Sequence, residues 1–310
     1  MKSKYMVKFL GTTGYKGIDS GWYGDCIICY DDLNKQMFVY DCGSEQHADT
    51  VINFMNLKEI LKTNFILSHN DHDHFNGLPK LISAGKVDKI YTTLLLKYID
   101  DILNKLDDDR RTRDATKERI LKLYHNIADL SGNNLKDIYE NIALLPNGTS
   151  LIGPDKETMI DAVVKAIKEN DIQSIEGSET LVNATSLQIS MPITDIDCLI
   201  LLGDAAVENI KCDLSSYRYI QLPHHGKLAS AEAIFENIPS DEIANHTFIV
   251  SDNTGITNGG SDNLMKSPIR LGKDIKNTKY GDQNINFISF NSVSSASKKY
   301  GVCSGLLVKR

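Results

Sequence analysis

With 310 residues, 41% of them hydrophobic and 24% charged, the chain has an ordinary globular composition and length for one large domain or two smaller ones. Its net charge of −7 argues against broad binding of nucleic acid through phosphate neutralisation, although a local basic lip around a site is still compatible with it. No apolar run reaches the roughly 18 residues of a membrane span, and the N-terminal segment lacks a signal-peptide core. The expectation is therefore a cytoplasmic protein with no membrane association.

Strand-like runs come first, at Tyr5–Leu10, Asp25–Tyr30 and Met37–Tyr40, the last ending in the turn Asp41-Cys42-Gly43. A helical rhythm follows from His47 to Leu61, carried by Ile52, Phe54, Met55 and Ile60. Next are a strand at Phe65–Leu67, the polar stretch SHNDHDHFNG, a helix through Leu78, Leu81 and Ile82, and a strand at Lys89–Thr93. Alternating strands and helices imply a layered α/β architecture. Residues Leu96 to Leu145 break the alternation and read as two or three helices inserted over the core. Arg110, Arg111 and Arg113 read there as a solvated face balancing nearby acids, with a phosphate-facing role as the alternative. Strands resume at Thr149–Pro154, a helix at Thr158–Lys168, and strands at Ser186–Ser190, Cys198–Leu202 and Tyr219–Leu222. A loop from Asp252 to Asp262 and strands at Asn286–Phe290 and Val302–Val308 close the chain. No fixed-period repeat is visible.

Cys26 and Cys29 form a CxxC, a spacing associated with zinc or redox chemistry. They lie in the apolar run Cys26-Ile27-Ile28-Cys29-Tyr30, where strand residues three apart face opposite ways. The reading is two buried core cysteines.

Three of the eight histidines fall within Ser68–Gly77, interleaved with two aspartates at a strand-to-helix turn. Asp41, Asp204 after Leu201-Leu202-Gly203, and His224-His225-Gly226 after Pro223 stand at three further strand ends. Ligand-type residues offered from several strand ends converge on one edge of an α/β sheet. His47, His125 and His246 lie outside this pattern and read as ordinary structural residues.

These motifs resemble those of the metallo-β-lactamase superfamily. His69, Asp73 and His74 match its HxHxDH signature, with Asp71 in place of the middle histidine. The HxDxDH form is similar to the ComEC-like branch found in competence proteins. Tyr23-Gly24-Asp25-Cys26, Phe38 to Gly43, Leu151-Ile152-Gly153-Pro154, Asn183-Ala184-Thr185-Ser186-Leu187, Leu202-Gly203-Asp204 and Pro223-His224-His225-Gly226 match further segments in order. The likeness spans the chain apart from Leu96–Leu145. It implies a single α/β domain over 1–310, a four-layer αββα sandwich of two similar halves, with 96–145 as a helical insertion.

The resemblance also implies two divalent ions, zinc or manganese. His69 and Asp71 would hold the first, Asp73, His74 and His225 the second, and Asp204 both. Asp73 and His224 carry the catalytic roles, His224 as a proton donor to the leaving group or a substrate contact, and Asp41 orients a cluster residue from behind. The expected third histidine of the first position is missing. Asn183 falls in its place, so that position is expected to be loose, filled only with substrate, or suited to a harder metal. Asp71 favours manganese or magnesium in the same way. Lys227 stands where relatives carry a serine, either beside a phosphate or in solvent; His72 reads as a spacer.

The implied activity is a metal-dependent phosphodiesterase or nuclease on DNA or RNA, acting through a metal-bound hydroxide. Small nucleotides, phosphorylcholine-type diesters and carboxylic esters such as lactones or thioesters are alternative substrates. A second class is a metal-stabilised interaction module in which the 96–145 helices dock a protein partner.

Overall fold

Neighbouring apolar residues such as Ile27 and Ile28 face opposite sides of one strand, and the fold uses both sides. The computed structural model describes residues 5–12, 24–32, 34–106, 113–115, 117–118, 134–141, 148–168, 175–176, 179–194, 196–251 and 260–286. Its strands are β1 (Tyr5–Phe9), β2 (Cys26–Asp31), β3 (Gln36–Cys42), β4 (Thr63–Ile66), β5 (Val87–Thr92), β6 (Leu135–Asp137), β7 (Ser150–Gly153), β8 (Ile175–Glu176), β9 (Glu179–Thr180), β10 (Gln188–Pro192), β11 (Cys198–Leu201), β12 (Tyr219–Gln221), β13 (Thr247–Val250), β14 (Asp274–Asn277) and β15 (Gln283–Asn286). They form a seven-stranded sheet, β15-β1-β2-β3-β4-β5-β6, a six-stranded sheet, β14-β13-β12-β11-β10-β7, and the small pair β8-β9.

The two large sheets repeat one pairing order. From β1 to β6 the neighbours are antiparallel twice and then parallel three times. The series β7, β10, β11, β12, β13, β14 runs the same way. By this correspondence β3 matches β11 and β4 matches β12.

Core packing gives the layers. Phe38, Tyr40 and Ile66 of the first sheet meet Ile189, Leu199 and Leu201 of the second in one buried cluster between the sheets. The outer face of the first sheet, including Ile28 and Val39, is covered by Val51 and Met55 of helix α1 (Glu45–Leu57) and by Leu78 and Leu81 of α3 (Leu78–Ser83). Ile200, Ile220 and Phe248 on the outer face of the second are covered by Ala231 and Ile234 of the helix Leu228–Glu236. Helix, sheet, sheet and helix therefore stack in that order. Each such large aliphatic or aromatic side chain contributes about 1.5–3 kcal/mol on burial.

Local chemistry sets the first helix. The Ser44 hydroxyl accepts the His47 N–H at 3.1 Å as an N-cap. His47, Ala48, Val51 and Met55 then share the buried face, so His47 is a core residue as expected. The helix ends at Leu57, four residues before the sequence reading, because Glu59 adopts a left-handed φ of 59°. Cys26 and Cys29 are both fully buried and free, and they join different core clusters on opposite faces of β2.

Much of the segment expected to be a helical insertion lies outside the described residues. Helix α4 (Ile99–Leu106) packs Ile102 against Met159, Val163 and Ile167 of the helix Lys156–Lys168. Arg113 pairs with Asp100, as a solvated helix face would. However, Leu135–Asp137 is strand β6, which pairs in parallel with β5 and completes the first sheet. That part of the segment belongs to the scaffold. A three-residue strand with two polar residues carries no readable alternation. Arg110, Arg111, His125 and the strand expected at Val302–Val308 lie outside the described residues, as does most of Asp252–Asp262. Asp262 itself opens the helix Asp262–Lys266. Strand β15 includes Asn286, the first residue of the strand expected at Asn286–Phe290, and the rest of that expectation lies outside the described residues. Among the described residues, no helix is long and apolar enough to cross a membrane.

Candidate metal centre

The sequence motifs meet where the parallel halves of the two sheets end. β3 delivers Asp41, and the turn after β4 delivers Ser68 to His74, with His72–Phe75 as the short helix α2. Asp204 follows β11, and His224-His225 follow β12. The equivalent strand pairs of the two halves thus each supply one acid and one histidine group.

Three buried atoms at this edge make no hydrogen bond: His69 Nε2, His74 Nε2 and Asp204 Oδ1. All three residues are less than 5% exposed, and their ligand atoms lie within 4.8 Å of one another. His74 Nε2 and Asp204 Oδ1 instead face each other as an ion pair at 3.4 Å. Three such atoms sharing one space fit a cation. Asp73, His74 and His225 form a second buried group on the same criterion, with His225 Nε2 at 3.1 Å from Asp73 Oδ2 and 3.7 Å from Asp204 Oδ2. Asp71 is nearby but looser, its carboxylate 3.8 Å from His69 Nε2 and its side chain 44% exposed. Nitrogen and carboxylate donors in these numbers suit zinc or manganese.

The imidazoles are fixed from behind. His74 Nδ1 lies 2.8 Å from Asp41 Oδ2, which leaves Nε2 facing the site. Asp41 also accepts the Ser68 N–H at 2.7 Å and the Ser68 hydroxyl at 2.6 Å. With its hydrogen on Asp41, Ser68 Oγ can only accept from His69 Nδ1, 2.9 Å away. The proton of His69 thus sits on Nδ1, and its Nε2 lone pair faces the cleft. Ser186, from the other half of the chain, lies 3.0 Å from the same Nδ1 and accepts the Asp204 N–H at 3.2 Å. Partners of this kind set ligand tautomer and direction.

Asp25 is the residue that sequence reasoning passed over. Fully buried at the start of β2, it faces His225 Nδ1 at 3.2 Å through one oxygen. Its other oxygen accepts Gln221 Nε2 at 2.6 Å. Gln221 Oε1 in turn accepts the N–H groups of Leu202 and Gly203, at 3.0 and 3.3 Å, in the turn before Asp204. The Asp25 N–H donates to the Asp73 carbonyl at 3.0 Å. Gly24 permits this approach, since a Cβ there, at φ +46°, would lie 1.4 Å from the Asp73 carbonyl oxygen. The available signal was the pair Gly24-Asp25, a carboxylate heading an otherwise apolar buried strand.

Backbone strain collects at the same place. Five described non-glycine residues have positive φ, and three of them are Asp41 (57°), His224 (49°) and His225 (54°). Such conformations cost about 1–3 kcal/mol each and persist only where surrounding structure enforces them. Here Gly226 takes φ +77°, and the His224 N–H donates to Gly203 O at 3.2 Å, tying this turn to the one bearing Asp204.

Charge follows the same logic. Burial alone would lower the pKa of His74, but the carboxylates of Asp204 and Asp41 outweigh it and hold His74 well above the histidine range. His225 is raised likewise, against burial, by Asp204, Asp25 and Asp73. Burial opposes ionisation of Asp204, and His225, His74 and His224 overcome it to keep the acid ionised. His69 drops to about 3 through burial and the charge of His74. Burial and the adjacent Asp73 push Asp71 up to about 6. Protons on His74 and His225 thus supply the positive charge that a divalent ion would supply.

Other expected residues are placed as follows. His224 is half-buried, its Nε2 4.0 Å from Asp204 Oδ2. Asn183 is buried beside the site with Nδ2 3.5 Å from Asp204, but its Oδ1 accepts the Thr180 hydroxyl at 2.7 Å. As oriented, it offers the site its amide N–H2 rather than its oxygen. Lys227 is half-buried directly after the HHG turn. His72 is exposed and stacks on Phe75, consistent with a spacer. His246 is buried with Nδ1 2.6 Å from the Tyr217 carbonyl, and it belongs to the second half's core.

Comparison of the chain with protein-family models and with curated proteins gave no match.

Proposed function

We propose that this chain is a metal-dependent phosphodiesterase of the metallo-β-lactamase fold, related to the ComEC-like branch and acting on DNA or RNA. The observation that carries the reading is the convergence of buried ligand atoms from His69, His74 and Asp204 within 4.8 Å of one another, at the edge where the two halves meet. The doubled αββα layering and the strand-end motifs support the fold assignment.

His69 and Asp71 would hold one divalent ion, Asp73, His74 and His225 another, and Asp204 would serve both. Bound there, divalent ions supply Lewis acidity and a water acidic enough to attack at neutral pH. The chain's own residues do the rest. Asp25, Asp41 and Ser68 hold the imidazole rings in direction, so little reorganisation is needed during reaction. His224, at the half-buried rim and next to Asp204, is placed to give a proton to the leaving oxygen. Lys227 and the Asn183 amide are candidates for holding a phosphate oxygen.

The test is metal-stripped protein incubated with manganese or zinc and end-labelled single- and double-stranded DNA and RNA, alongside Asp204→Ala. Cleavage that requires metal and disappears in the variant is expected. Intact substrates with either metal would contradict the nucleic-acid reading and direct the search to small nucleotide diesters.

A further inference from the structure

The two ligand groups are braced by different chemistry. On one side, both imidazoles lean on buried carboxylates, His74 on Asp41 and His225 on Asp25, with the Ser251 carbonyl also 3.0 Å from His225 Nδ1. Asp25 also fixes Asp73 through the backbone and reaches the Asp204 turn through Gln221. All four candidate ligands on that side, Asp73, His74, His225 and Asp204, are buried. On the other side, the single imidazole, His69, has its Nδ1 against the hydroxyls of Ser68 and Ser186 and no carboxylate behind it among the described residues. Its companion Asp71 is 44% exposed, and Asn183 has its oxygen committed to Thr180.

A carboxylate behind an imidazole raises its basicity and fixes its orientation more strongly than a neutral hydroxyl does. An exposed carboxylate also surrenders more side-chain freedom when it binds. We infer that the two metal positions are unequal by construction: Asp25, a positioning residue outside the ligand set, anchors a tight ion at Asp73, His74 and His225, and the His69–Asp71 position takes its ion only together with an anionic phosphate ligand. This rests on the proposed metal reading and adds an order of filling. Free protein holds one ion, and substrate phosphate completes the site by supplying the ligands that the chain withholds.

The experiment is a manganese titration of the metal-stripped full chain, followed by electron paramagnetic resonance of free Mn²⁺, with and without thymidine 5′-monophosphate. One tight equivalent is expected alone and two with the nucleotide. Asp71→Asn should keep the tight ion and lose the nucleotide-dependent one. Asp25→Asn should weaken the tight ion about 10–100-fold, the range for loss of an orienting partner, with Asp25→Glu restoring part of it. Two equivalent ions without nucleotide, or a tight ion indifferent to Asp25→Asn, would overturn the inference and leave the metal reading standing. No bound ion in the wild-type chain would overturn both. The wild-type stoichiometry and Asp71→Asn decide the matter even if Asp25→Asn fails to fold.

Discussion

Asp41 and Asp204 occupy corresponding places in the two halves, one closing β3 and the other following β11, yet the fold uses them differently. Both oxygens of Asp41 are consumed by Ser68 and His74. Asp204 keeps Oδ1 without a hydrogen bond, facing two imidazoles. The left-handed backbone at Asp41 accompanies a carboxylate turned beneath the cluster loop, where it orients a ring. At Asp204 the flexibility sits one residue earlier, in Gly203 at φ +53°, and the carboxylate faces the cleft. A repeated scaffold thus provides two acids at equivalent positions, and the local turn decides which one faces the cleft.

This contrast can be broken experimentally. Asp204→Ala should have the largest effect, lowering metal affinity by more than the roughly 100-fold upper range for an orienting residue, as read by equilibrium dialysis. Asp41→Asn should cost about 10–100-fold in affinity and leave some binding. If Asp41→Asn were as damaging as Asp204→Ala, the division between orienting and ligating acid would fail. Gly24→Ala should destabilise the fold by more than about 1 kcal/mol, because it places a side chain at positive φ against the Asp73 carbonyl; urea denaturation would measure this.

A subtler test uses pH. His74 and His225 have raised pKa values in the folded, metal-free chain. Their stabilising contribution is fully present below the unfolded value of about 6.5 and is lost as pH rises through the folded values. Metal-free protein should therefore lose stability as pH rises above about 6.5. Saturating zinc should remove that loss, since the ion replaces the two protons. Thermal melts across this range would show whether the alkaline slope depends on metal.

The sequence made the site legible where chemistry was dense. Three histidines in six residues, and HHG after an apolar strand, marked the places that the fold brings to one edge. The layered α/β class followed from alternating elements, and the burial of Cys26 and Cys29 from the apolar run around them, with the strand period setting them on opposite faces. What escaped was carried by short or polar segments. β6 has three residues, and β13, Thr-Phe-Ile-Val, is too short to show a period. Asp25 was legible as the head of a strand and part of a matching segment, but its role appears only when Gln221 and His225, about 200 residues away, fold against it. Asn183 occupied the expected place, but which end of its amide faces the site depends on the Thr180 hydroxyl.

The most direct measurement of the central claim is elemental analysis of the wild-type chain and Asp204→Ala after equilibration with zinc or manganese and gel filtration. The account expects at least one ion per wild-type chain and loss of that ion in a folded variant. A wild-type chain without metal, or equal metal in both proteins, would contradict it.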